Sequence, residues 1–338
     1  MHMSDALISP AVGGVMWAAA AGITAYSAKK VRKNLDEAKA PLMGVLGAFI
    51  FTAQMINFTI PGTASSGHLG GGMILAVLLG PSAGFLAMVS ILVIQALIFC
   101  DGGLLALGCN IINLGFYSCF IAYPLVYRPI AGKNAVPWRI AAGAILASII
   151  GLQFGSFSVV LETVFSGITE LPFKIFVLLM QPIHLAIGVF EGLITAAVIL
   201  FVRQVRPEIL EKTAAGEAYG NMSLKRAIAA ILLLAFLTGG FISWFASSYP
   251  DGLEWSVSKT VGGKDLRIRS GIVSSLTELQ KKISVFPDYG FKKQQPANTD
   301  AANKGGTSLS GIAGALMTLF LVSLIGFGLQ LAKKRASK

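Results

Sequence analysis

The stretch Pro81-Ser-Ala-Gly-Phe-Leu-Ala-Met-Val-Ser-Ile-Leu-Val-Ile-Gln-Ala-Leu-Ile-Phe99 contains no charged residue, and only Ser82, Ser90 and Gln95 are polar. As a helix, a run of this length crosses the roughly 30 Å hydrocarbon core of a bilayer. Comparable runs occupy Pro10–Ser27, Ala40–Phe58, Gly103–Tyr127, Trp138–Ser166, Pro172–Val202, Leu224–Ala246 and Leu309–Leu331. One more, Leu69–Leu79, is short, opens on Gly70-Gly71-Gly72 and stops at Gly80-Pro81. That pattern suits a segment that dips or kinks instead of crossing cleanly. The longest core runs are expected to tilt, or to break near Gln181-Pro182.

Composition agrees with these runs. Across 338 residues, 54% are hydrophobic and 13% charged, and the mean hydropathy is +0.72. The expected fold is an all-α, polytopic helical membrane protein, and a water-soluble enzyme is excluded. About seven spans form a core over residues 1–206. A polar linker follows at 207–223, then a two-span appendage at 224–338 that brackets a polar segment, 247–308. The net charge of +11 reflects topology more than nucleic acid. Lys29, Lys30, Arg32, Lys33 and Lys39 follow the first span, and the connections after the fifth and seventh spans and the C-terminal tail hold most other basic residues. The positive-inside rule then places the N-terminus outside, the C-terminus in the cytoplasm and segment 247–308 outside. The first residues lack a basic region ahead of an apolar one, so a cleaved signal is not expected. Cys100, Cys109 and Cys119 match no zinc or disulfide spacing and read as small buried residues.

The candidate chemistry lies at the start of the chain, Met1-His2-Met3. The α-amine of Met1, the amide nitrogen of His2 and its imidazole can chelate one metal ion through fused five- and six-membered rings. Three nitrogens in a plane leave one corner of a square, the geometry preferred by Ni(II) and Cu(II). The alternative is an incidental terminal histidine. Of the three histidines, His68 ends a loop on the same side as His2 and is available to fill the fourth corner. Asn57 and Gln54 are placed to orient it, or else simply bond between helices. Met3 offers a thioether, with plain packing the blander reading. His184 and Glu191 lie seven apart on one helical face of the seventh span, where ionisable residues suggest either function or helix–helix bonding. The small-residue stripes Gly14/Ala18/Gly22 and Gly44/Ala48 allow close helix approach, either to a partner subunit or within the bundle; packing within the bundle is favoured for the first. No phosphate-binding G-x-x-x-x-G-K-[ST] and no H-E-x-x-H occurs, and no acid–base or nucleophile–base pair stands out.

Met1-His2, Asn57-Phe58, Ile60-Pro61-Gly62-Thr63 with Ser66-Gly67-His68-Leu69, Asp101-Gly102-Gly103, Asn110, and His184 with Glu191-Gly192 resemble the CbiM/NikM family. These are the metal-specific membrane components of energy-coupling-factor cobalt and nickel transporters. Tyr249-Pro250-Asp251-Gly252-Leu253-Glu254-Trp255 and Phe286-Pro287-Asp288-Tyr289-Gly290 are similar to a PDGLE-type N component, so the chain resembles a fused M–N protein. The resemblance implies Ni(II) or Co(II) as transported ligand, with Met1, His2 and His68 as ligands and Ser66 beside them. It also implies a transmembrane coupling component and separate ATPase subunits as partners. The sequence departs from the family at Thr63-Ala64-Ser65-Ser66, which lengthens the loop and puts the reach of His68 to His2 in question. The PDGLE-like segment offers carboxylates such as Asp251, Glu254 and Asp265 but no His or Cys, which suggests an accessory role in loading metal or shaping the entrance. A stand-alone secondary metal permease and a membrane metal sensor are the alternative functions.

Overall fold

The computed structural model describes residues 1–34, 38–132, 136–169, 171–220, 224–262, 271–291 and 300–336. Asp265 lies outside them. The chain is a helical bundle in which α1 is Pro10–Asn34, α2 Lys39–Gln54 and α3 Gly72–Leu79. Next come α4 at Pro81–Phe99 and α5 at Leu107–Ala131, then α6 at Pro137–Ser166 and α7 at Phe173–Val205. A linker helix, α8 (Pro207–Ala215), leads to α9 (Lys225–Gly240). The short helices α10 (Gly252–Val261) and α11 (Gly271–Ile283) precede the final α12 (Asp300–Ala336). α6 packs along α7, while α12 and α9 pack on α2 and α10 packs on α7, so the appendage meets the core along α2 and again at α7.

Six of these helices, α1, α4, α5, α6, α7 and α12, are long and apolar enough to cross a membrane. The polytopic all-α class is therefore as the sequence indicates. Three runs read as spans give shorter helices. α2 ends at Gln54 because Phe58–Ile60 (β1) pairs antiparallel with Ser65–Gly67 (β2), with Phe58 opposite Gly67. α3 starts only at Gly72 because Gly71 is held at φ 78°, a left-handed conformation open to glycine. Its eight residues rise about 12 Å, so this segment does not cross by itself. α9 stops at Gly240, where the backbone of Gly239 meets Gly311 of α12.

The expected break at Gln181-Pro182 does not occur, because α7 runs through Pro182 as one helix. Pro182 takes the helical donor from the Leu178 carbonyl without breaking the helix, and Gln153 of α6 donates to the Gln181 carbonyl at 2.9 Å, tying the two helices together beside the proline. The Gly14/Ala18/Gly22 stripe is also corrected. It faces away from the bundle, and a Cβ at Gly14 or Gly22 would meet nothing within 4 Å. Gly44 instead lies against Leu319 and Ser323 of α12, so that stripe packs within the chain. The linker also packs inward. Thr213 and Tyr219 both donate to the Leu78 carbonyl at the end of α3, at 3.0 and 2.8 Å.

Candidate metal centre

The chain begins inside the bundle. Met1 is 4% exposed and Met3 wholly buried. Three attachments hold the segment there. The Met3 amide donates to Asn110 Oδ1 at 2.7 Å, and Asn110 Nδ2 donates back to the Met3 carbonyl at 3.2 Å. The Gly103 amide donates to the same carbonyl at 2.8 Å. The Ala106 amide donates to Asp5 Oδ1 at 2.9 Å. A Cβ on Gly103 would fall on Asp5 itself, so this approach requires glycine. Met3 Sδ is met by Asn113 Nδ2 at 3.7 Å, which makes Met3 a packed residue at this end of the bundle.

The β1–β2 hairpin carries His68 to the same place. Behind it, Glu191 of α7 accepts from the amides of Gly70 and Gly71 at 2.8 and 3.1 Å. Gln54 donates to the Gly70 carbonyl at 2.8 Å and accepts from Gln95 at 2.8 Å. The lengthened loop therefore does not prevent His68 from reaching the N-terminus. Its Nε2 lies 3.3 Å from the Met1 amine, and its Nδ1 lies 3.1 Å from the Leu69 carbonyl. A carbonyl only accepts and an ammonium only donates, so Nδ1 carries the hydrogen and Nε2 presents its lone pair to the amine. The His2 ring stacks on His68 with centroids 5.1 Å apart and 15° between planes. The His2 backbone N–H has no hydrogen-bond partner among the described residues. Amine, amide and both imidazoles thus come together.

Gln54 acts on the loop one step removed from the ring, through Gly70. Asn57 accepts at its carbonyl from the Ser247 amide at 2.7 Å, and Ser66 donates from its amide to the Pro250 carbonyl at 2.8 Å and from its hydroxyl to the Tyr249 carbonyl at 2.8 Å. These two join the hairpin to the 247–251 stretch. The residue that orients the His68 ring by hydrogen bonding is Leu69.

Two carboxylates that the sequence did not single out as ligands or partners face the centre. The Met1 ammonium donates to Asp251 Oδ2 at 2.7 Å. His2 Nδ1 lies 3.2 Å from Asp101 Oδ1. Asp251 also caps α10, where its Oδ1 accepts from the amides of Leu253 and Glu254 at 2.8 Å each. Asp101 follows a π turn, Gln95–Phe99, and Cys100 at φ 58°. Tyr289 donates to its Oδ2 at 2.6 Å while stacking on Phe99 at 4.8 Å. Both carboxylates are thus fixed by the appendage, one belonging to it and the other held by its Tyr289.

The electrostatics follow from burial. Desolvation pushes both imidazoles below the ordinary histidine value. For His68 the Met1 ammonium adds to this, and for His2 the attraction of Asp101 opposes it without reversing it. Both rings are therefore neutral at pH 7, the form that binds metal. Burial alone would lift Asp251, but the adjacent Met1 ammonium holds its carboxyl well below the usual carboxylate range. A cavity of about 940 Å³ borders His2, His68, Asp101 and Asp251. A hollow of about 10 Å³ borders Met1, His68, Asp251 and His184. Chemically, the site offers nitrogen donors from two chain segments, with carboxylates placed to hold the amine and one imidazole.

Residues 2–209 match the family described as the cobalt uptake substrate-specific transmembrane region, and residues 225–331 match the PDGLE domain. The chain is 30% identical to the "Putative fused nickel transport protein NikMN" of Archaeoglobus fulgidus, over 95% of this chain and 96% of that protein. It is 26% identical to the "Cobalt transport protein CbiM" of Geobacter sulfurreducens, over 70% and 69%. A solved structure described as a transition metal transporter aligns with 29% identity and a TM-score of 0.55, over 63% of this chain and 97% of that one. With its core matched over residues 2–209 and its appendage over 225–331, the chain belongs to the family of cobalt-uptake substrate-specific transmembrane proteins, extended by a PDGLE domain.

Proposed function

We propose that this protein is the substrate-binding membrane subunit of an ATP-driven importer of nickel or cobalt ions. The Met1 amine, the His2 amide, His2 Nδ1 and His68 Nε2 bind the metal in one plane. The observation that carries this reading is the Met1 amine 3.3 Å from His68 Nε2, beside a His2 whose ring stacks on His68 and whose amide is unpaired among the described residues. To close the chelate, His2 Nδ1 leaves Asp101 and the amine gives up its proton beside Asp251, so proton and metal compete for the site. Four nitrogens, one an ionised amide, impose a strong planar field that suits Ni(II), and Co(II) next. Cu(II) would bind more tightly still, so selection against it rests on availability. The basic ends of α1 and α12, with Arg32, Lys33, Lys333, Lys334 and Arg335 in their last turns, support a cytoplasmic placement of that side and capture of metal at the opposite face.

Energy coupling belongs to separate subunits in this reading, a transmembrane coupling protein and ATPases, because the chain has no phosphate-binding motif. Vesicles carrying this chain with those partners and internal ATP are expected to accumulate nickel, whereas vesicles carrying the chain alone bind nickel without accumulating it. Accumulation by the chain alone under an ion gradient would replace this reading with a secondary permease.

A further inference from the structure

His184 is built like a metal ligand yet lies outside the four-nitrogen set. It is 1% exposed and its Nδ1 lies 2.8 Å from the Met180 carbonyl. Since a carbonyl only accepts, Nδ1 carries the hydrogen, and in a dry core the neutral ring leaves a bare lone pair on Nε2. That Nε2 has no hydrogen-bond partner among the described residues. Buried polar atoms almost always have one, so an orphan calls for a reason. His68 shows the same arrangement, with Nδ1 on the Leu69 carbonyl and Nε2 at the centre. A backbone carbonyl on one imidazole nitrogen is one of the ways a protein aims the other at a metal.

Position agrees with this. The roughly 10 Å³ hollow that His184 borders also touches Met1 and His68, and the larger cavity touches His2, His68 and Asp251 but not His184. His184 therefore shares the small hollow with Met1 and His68 and does not border the large cavity. Gly252 covers the ring, and a Cβ there would sit 3.3 Å from its Cε1. The hollow is the size of one small ligand atom or water, so it admits the ring's lone pair to a bound ion and little else.

We infer that His184 is an axial fifth ligand used by Co(II) and left unused by Ni(II). The inference rests on the planar four-nitrogen reading above. In a strong planar field, low-spin Ni(II) fills the orbital perpendicular to the plane with two electrons and repels an axial donor. Low-spin Co(II) has one electron there and accepts a fifth nitrogen. One centre can thus carry nickel as a four-coordinate ion and cobalt as a five-coordinate one, by means of a histidine that contributes nothing to the plane.

Electron paramagnetic resonance of the full-length chain loaded anaerobically with Co(II) tests this. The unpaired electron points along the axis, so an axial nitrogen splits the parallel lines into three. The expected spectrum is low-spin with that splitting, changing to two lines when the protein is made with ¹⁵N-histidine. Only three histidines exist in the chain, and two of them lie in the plane, so the isotope result identifies His184 without a substitution. His184→Gln should remove the axial splitting and keep the low-spin signal, with nickel affinity within about threefold of wild type. A low-spin signal with no axial nitrogen overturns the inference and leaves the plane standing. A high-spin Co(II) signal in the unaltered protein overturns the plane and the inference with it.

Discussion

A single residue added ahead of Met1 is expected to weaken nickel binding by two to three powers of ten while every side chain stays intact. The extension turns the amine into a peptide nitrogen and removes the five-membered chelate ring. Four-ligand structural metal sites are worth about 10–16 kcal/mol at pH 7, so one donor is worth roughly 3–4 kcal/mol. Space adds to the loss, because Met1 is 4% exposed and the hollow beside it is about 10 Å³. An added residue must push the N-terminal segment off Asn110 and Gly103. His2→Ala and His68→Ala remove one imidazole each and should give losses of the same order. Isothermal titration of nickel into the extended and native chains measures the difference. Tight binding by the extended chain would exclude the amine as a ligand.

The second large effect concerns Asp251. Its carboxylate and the Met1 ammonium form a pair with side-chain exposures of 17% and 3%. Removing one partner of a buried pair costs about 3–5 kcal/mol, because the other charge is left without compensation. Asp251→Asn is the informative change, since asparagine also caps helices well and spares α10. It turns the oxygen facing the ammonium into part of a neutral amide. The metal-free variant is expected to be less stable than wild type by about 3 kcal/mol at pH 7, read as a lower thermal midpoint in detergent. The sign of the pH dependence follows from the depressed carboxyl of Asp251. Its stabilisation is complete above the unfolded value near 3.9 and is lost as pH falls through the lower folded value. The gap between variant and wild type should therefore close in strong acid and hold between about pH 5 and 7. A gap that closes instead on raising pH from 5 to 7 would point to a histidine as the group at stake.

Much of the fold was legible because bilayer crossing is a local property. Pro81–Phe99 carries its length and apolar character in its own residues, and it forms a helix of the same bounds. α3 was legible as an irregular segment for the same reason, since Gly71 announces its left-handed turn. The unbroken α7 was not, because what holds it straight past Pro182 is packing along α6, including Gln153 on the Gln181 carbonyl, and neither is local to the proline. The outward face of Gly14 and Gly22 was likewise hidden, since a small residue permits close approach without specifying a neighbour.

The candidate centre divides in a similar way. Met1, His2 and His68 were visible because the donor types are rare in this chain and one chelate is contiguous. Asp101 and Asp251 were not, for different reasons. Asp101 looks like a turn residue, and its carboxylate meets His2 only because a π turn and Tyr289 aim it there. Asp251 has a complete local explanation as a helix cap with Glu254, so nothing in its surroundings asks for a second partner. That partner is 250 positions away in sequence. His184 gave a partial signal as an intramembrane histidine, but its likeness to His68 appears only when both Nδ1 atoms are seen on backbone carbonyls.

The four-nitrogen centre is tested most directly by titrating nickel into the metal-free chain with its native N-terminus, following absorption and magnetism together. Planar coordination gives a yellow, diamagnetic species at one nickel per chain, with release of about two protons at pH 7, from the amine and the amide, because the imidazoles are already neutral. A paramagnetic complex, or one formed without proton release, would show that the Met1 amine and the His2 amide are not ligands.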